Sequence, residues 1–123
     1  MEKKKKKLKT YNFYTVMMQA LRPVWRNHPT RREFFKNSRS APNTWICAEC
    51  GKKCAGASKG KKSEFRIDHI EPVIPLTGFT NWDDVIRRLI TGPHNLQVLC
   101  LVCHGVKSKA ENAARRKHKK DLL

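Results

Sequence analysis

With 123 residues, the chain has room for one modest hydrophobic core, and 27 Lys and Arg against 10 Asp and Glu give it a net charge of +17. No run approaches the ~18 apolar residues of a membrane span, and YNFYTVMMQAL after the lysine cluster Lys3 to Lys7 is too interrupted by polar positions such as Gln19 to be a signal peptide. This balance excludes an acidic or membrane-embedded protein and predicts a cytoplasmic one, with reduced thiols free to bind metal and a polyanion as partner. Nucleic acid is the expected polyanion and an anionic membrane surface the minor competitor.

The opening MEKKKKKLK is low-complexity, so residues 1–10 read as a disordered basic arm. From Tyr11 to Trp25, Phe13, Met17, Ala20, Leu21 and Val24 recur near helical spacing and predict an amphipathic helix that Pro23 and Pro29 bring to an end. TRREFFKN predicts a second short helix, with Thr30 as N-cap and Glu33 at capping-box spacing. Residues 11–40 are therefore expected to form a helical extension. Residues 38–62 turn to Ser, Pro, Gly, Lys and Cys and read as loop, with Gly51 supplying a tight turn after CAEC.

SEFRIDHIEPV predicts a strand with Phe65 and Ile67 facing one way, ending near Asp68 and His69 before Pro72 and Pro75. NWDDVIRRLI predicts a helix with Val85, Ile86, Leu89 and Ile90 inward, capped by Asn81 or Thr80 and closed by Gly92 and Pro93. NLQVLC reads as another strand, and from about Leu101 a terminal helix runs through VKSKAENAARRK. A central unit over residues 41–116 and a basic tail at 117–123 complete the expected division. Without the inserted helix, the centre is ββα.

Two C-x-x-C pairs, Cys47 with Cys50 and Cys100 with Cys103, have the spacing of a tetrahedral zinc site. Four thiolates leave no open position, so such a site is structural. CLVCH also has the letters of a c-type haem attachment site, but that chemistry needs export. Cys54 is left over and reads as free, with substitution for Cys47 or Cys50 as the alternative. Asp68 and His69, adjacent at a strand end, combine a carboxylate for a hard cation with an imidazole able to activate water. His28, His94, His118 and Glu71 read as loop, solvated or surface groups.

In order, DHIEP, HNLQVLC and CLVCH resemble the HNH endonuclease family over about residues 45–116. The resemblance implies an α+β fold: a small ββα-metal, treble-clef-like domain stapled by a four-cysteine zinc site, with N-terminal helices and a basic C-terminal helix. It implies metal-dependent hydrolysis of DNA phosphodiesters, leaving 5′-phosphate and 3′-hydroxyl ends. Asp68 and His104 would hold one magnesium or manganese ion, His69 would be the general base, and Asn95 would orient His69 rather than touch the metal. Relatives of this style occur in bacteriophages beside DNA-packaging genes, which suggests packaging proteins as further partners.

The inserted TGFTNWDDVIRRLITGPH departs from the simplest family pattern, and that puts the DNA contacts in doubt while sparing the catalytic set. Phosphate contacts are expected from Lys107, Lys109, Arg115, Arg116 and Lys117, from the lysine arm, and from Arg87 and Arg88. No base-reading element is evident. The alternative is a zinc-stapled module that grips nucleic acid without cutting it.

Overall fold

The computed structural model describes residues 11–123; the lysine arm lies outside the described residues. Helix α1 spans Phe13–Arg26, and the Asn12 side chain caps it by accepting the Thr15 N–H at 3.1 Å. Pro23 does not end this helix as expected. It sits in the last turn, and its own carbonyl accepts the N–H of Asn27. The buried register also differs: Trp25 is the anchor, whereas Phe13 and Val24 are 55% and 57% exposed.

Helix α2 spans Pro29–Asn37. Pro29, with φ preset and no N–H to satisfy, takes the first helical position and moves the cap back to His28, whose Nδ1 accepts the Thr30 N–H. The Thr30 capping box therefore does not form. His28 also stacks on Trp25, with ring centroids 5.6 Å apart, and so has a structural task rather than a solvated one.

The stretch expected as loop contains a small antiparallel hairpin, β1 (Trp45–Ile46) and β2 (Lys53–Cys54). Gly51 turns the chain between them at φ 76°, a left-handed conformation that favours glycine. Strand β3 (Phe65–His69) pairs antiparallel with β4 (Leu96–Cys100), from Phe65 opposite Cys100 to His69 opposite Leu96. Between them lie helix α3 (Trp82–Leu89) and a single 3-10 turn, Pro93–Asn95.

Asn81 caps α3, and Val85 and Leu89 are buried; Ile86, expected inward, is 45% exposed. An eight-residue helix against one partner surface buries a narrow stripe, and Ile86 falls outside it. Helix α4 (Leu101–Asp121) follows β4 directly and continues past the expected end at Lys117, giving the ββα unit.

Two clusters form the core. Trp45, Cys47, Cys54, Phe65, Val98, Leu99 and Cys100 pack around the knuckle, and Trp25, Leu89 and Leu96 pack under α3. Phe34 and Ile67 touch both clusters, so α2 and β3 join the N-terminal helices to the ββα unit. The Trp45 indole N–H donates to the Phe35 carbonyl at 2.9 Å, which satisfies the polar edge of a buried ring. Among the described residues, no helix is long and apolar enough to cross a membrane.

Candidate active site and metal centre

The four knuckle thiols converge. Sulfur atoms of Cys47, Cys50, Cys100 and Cys103 all lie within 4.8 Å of one another. Cys47 accepts the Cys50 N–H, and Cys100, the N-cap of α4, accepts the Cys103 N–H at 3.4 Å. Burial opposes ionisation of Cys47, yet the N–H groups of Cys50, Cys100 and Glu49 outweigh it and bring the thiol down to about 6. Cys100 is likewise drawn below the ordinary thiol range, first by the Cys103 N–H. Cys103 is pushed up, first by its hydrogen bond with Cys100 and then by burial.

Such a cluster favours negative charge on two sulfurs and resists it on a third, a conflict that a bound cation removes. Two C-x-x-C turns with convergent sulfurs fit zinc, and four thiols are positioned to bind a metal ion. This arrangement also assigns CLVCH to the knuckle rather than to haem. Cys54 stands apart from the four: it is buried in β2 opposite Trp45, with its sulfur 3.6 Å from the Lys52 carbonyl.

Asp68, buried on β3, lies opposite Gln97 in the ladder, and the Gln97 amide donates to its Oδ2 at 2.9 Å. Lys107 approaches the same oxygen at 3.1 Å and donates to the His69 carbonyl at 3.0 Å. Burial works against the charged form of Lys107, but Glu111 and Asp68 more than offset it and raise its pKa. Two donors thus occupy Oδ2, while Oδ1 faces His104 Nε2 at 3.9 Å. Two ligands ~2.1 Å from one ion are at most about 4.2 Å apart, so both atoms of this pair can reach a single cation. His104 reaches this position because β4 runs into α4 without a loop, which places residue 104 one turn into the helix.

His69 is held on its other side. Its Nε2 lies 2.9 Å from the Leu89 carbonyl, and Trp25 packs on the ring at 5.2 Å between centroids. A carbonyl can only accept, so Nε2 is the donor, and Nδ1 is the ring nitrogen left available to accept a proton. Asp68, His69 and His104 line one cavity of about 300 Å³, together with the 72–74 segment and the inner face of α4.

Asn95 does not meet the His69 side chain. Its Oδ1 accepts the Glu71 N–H at 2.8 Å, its amide reaches the Glu71 carbonyl at 3.4 Å, and its own carbonyl takes the Ile70 N–H. It therefore pins the two residues that leave β3 immediately after His69.

The expected phosphate-contact residues divide. Lys109, Arg116 and Lys117 are exposed on α4, but Lys107 and Arg115 point inward. The Arg115 guanidinium donates to the Pro75 and Ile74 carbonyls at 3.2 and 2.7 Å and ties the 70s loop to α4. Arg87 and Arg88 both pair with Asp84, whose carboxyl falls to about 2, first through Arg87. Sequence reasoning missed Gln97, Trp25 and the Leu89 carbonyl. Only Gln97 had a readable signal, because pairing the strands at their hydrophobic alternation sets it opposite Asp68.

The model of the HNH endonuclease family matches residues 47–110, just over half of the chain. The chain belongs to the HNH endonuclease family. The matched stretch runs from the first knuckle into α4 and contains all four thiols with Asp68, His69, Asn95 and His104. Helices α1 and α2 lie outside it. No curated protein and no solved structure matches the chain. HNH membership ties the protein to nuclease or nucleic-acid-binding function, and its small ββα-metal fold is the one described above.

Proposed function

We propose that this HNH protein is a divalent-metal-dependent endonuclease that hydrolyses DNA phosphodiester bonds. The observation that carries the reading is the convergence in one cavity of Asp68 Oδ1 and His104 Nε2, 3.9 Å apart, with His69 beside them. A mixed carboxylate and imidazole pair with room for water and phosphate oxygens suits one magnesium or manganese ion. Asp68 and His104 would hold that cation, which would supply positive charge to the scissile phosphate and the leaving oxygen when bound.

His69 accepts a proton at Nδ1 from the attacking water as the new P–O bond forms. The Nε2–H bond to Leu89 holds the tautomer that makes Nδ1 the base. The P–O3′ bond breaks, the leaving oxygen takes a proton from solvent water, and the products are a 3′-hydroxyl and a 5′-phosphate. Asn95 serves as a positioning residue by fixing the backbone of Ile70 and Glu71. Cys47, Cys50, Cys100 and Cys103 would hold zinc as the structural ion, which would anchor the turn from which His104 projects. Lys109, Arg116 and Lys117 contact DNA phosphates without reading sequence. A cytoplasmic location and work beside the packaging proteins of a bacteriophage belong to the same proposal and rest on the resemblance alone.

The test is incubation of supercoiled plasmid with magnesium or manganese, comparing the native chain with His69→Ala. Nicked or linear DNA from the native chain, and at least a hundredfold less from the variant, is the expected result. Equal cutting by both would overturn the assigned base. Tight binding without any cutting would leave a non-catalytic nucleic-acid-binding module instead.

A further inference from the structure

A second basic surface lies outside the residues discussed so far. Arg26 at the end of α1, Arg31 and Arg32 on α2, and Arg66 on β3 line a cleft of about 370 Å³ whose floor includes Phe35 and Phe65. Among the described residues no acidic side chain lines it, and none of the four arginines forms an ion pair. This differs from Arg87, Arg88 and Arg115, each of which has a carboxylate within 4 Å. Arg26 and Arg31 are close enough to feel each other's charge. Partial burial, and then the neighbouring charge of Arg26, lower the pKa of Arg31.

Four like charges in one partly apolar cleft repel one another, and bound anions relieve the repulsion. Arginine rather than lysine suits phosphate oxygens, because a planar guanidinium can donate two parallel hydrogen bonds. Position identifies the source of the phosphate. Ile67 lines both this cleft and the cavity that holds Asp68, His69 and His104, so the two share a wall. Arg66 precedes Asp68 by two residues on β3, about 7 Å at strand rise.

We infer that the cleft of Arg26, Arg31, Arg32 and Arg66 is a phosphate-binding groove that holds the DNA backbone flanking the bond to be cut. The inference rests on the proposed nuclease reading and assigns the α1–α2 extension a part in substrate binding.

The experiment measures binding of a fluorescent DNA duplex to the zinc-loaded full chain, without added magnesium, across a salt series. Each lost phosphate contact lowers the slope of log K against log salt by ~0.9. Arg31→Gln, Arg32→Gln and Arg66→Gln together are expected to reduce the slope by about 2 to 3 and to weaken binding at least tenfold at 0.1 M salt. On plasmid with magnesium, the same variant should need more DNA for half-maximal cutting while keeping its rate at saturation.

A control with Lys52→Gln and Lys53→Gln removes formal charge from exposed positions that do not line the cleft and should change the slope by less than ~1. If the triple arginine variant fails to fold, as read by zinc content and circular dichroism, Arg66→Gln alone still reports one contact from an exposed side chain. A native chain that cuts DNA, with cleft and control variants of equal slope, overturns the groove and leaves the nuclease standing. A native chain that neither binds nor cuts DNA overturns both.

Discussion

His69 Nε2 and the Leu89 carbonyl, 2.9 Å apart, connect the proposed base to the last residue of α3. A helix leaves its final carbonyls without intrahelical partners, and here one of them receives an imidazole N–H. The inserted helix therefore supports the proposed base, a task that its sequence did not suggest. Burial of Leu89 against Trp25 and Leu96 sets where that carbonyl lies.

Leu89→Ala tests this link. The truncation is expected to cost about 2 to 5 kcal/mol of stability and, below the unfolding temperature, to lower plasmid cutting more than tenfold with zinc retained. Thermal melts, metal analysis and cleavage rates on one preparation provide the comparison. A destabilised variant that cuts at the native rate would disconnect α3 from the base.

Under the proposed function, Gln97 positions Asp68. Gln97→Leu removes the amide that holds Oδ2, and partners of this kind typically alter metal affinity or activity by about 10- to 100-fold. The expected signature is a higher magnesium concentration for half-maximal cutting with little change in the rate at saturating magnesium. An unchanged magnesium titration would contradict this role.

Adjacent residues in the first turn of α4 should separate two metals. Cys103→Ser breaks the thiol cluster, and structural zinc worth ~10 to 16 kcal/mol in small domains exceeds what a core of this size can replace, so the chain should unfold and lose zinc. His104→Ala should keep zinc and a native circular dichroism spectrum while losing cleavage. The reverse pattern, or zinc loss in both, would mean that His104 belongs to the knuckle.

Acid should release zinc and unfold the chain in one transition. Metal binding requires thiolates; Cys47 keeps its thiolate down to about 6 before any metal is considered, and a bound cation lowers the thiols further. Thiol pKa values depressed by folding favour the folded chain above their unfolded range and cease to do so as pH falls through the folded value. Zinc release followed with a chromogenic chelator should therefore have its midpoint below pH 6. Release centred above pH 7 would count against the four-thiol site.

Local chemistry is legible wherever neighbours in sequence create it. Two C-x-x-C turns, the Asp68 and His69 pair at a strand end, the glycine at position 51 and the periodicity of β3, β4 and α4 follow from spacing alone. Pro23 departs from its expected role: it removes only the one bond to the Gln19 carbonyl, and Gln19 lies on the exposed face of α1, where water can take that acceptor. Tertiary structure alone decided which atoms of those side chains remain free. Lys107 and Arg115 turned inward because buried carboxylates and loop carbonyls needed donors, and a buried acceptor without one is costly. His69 received its tautomer from Leu89, twenty residues away, and Arg66 came to face Arg26, Arg31 and Arg32 only when α2 packed on β3. Sequence sets residue type and local period; the long-range packing of Trp25, Phe34 and Ile67 sets the partners, because no local pattern specifies contacts that distant.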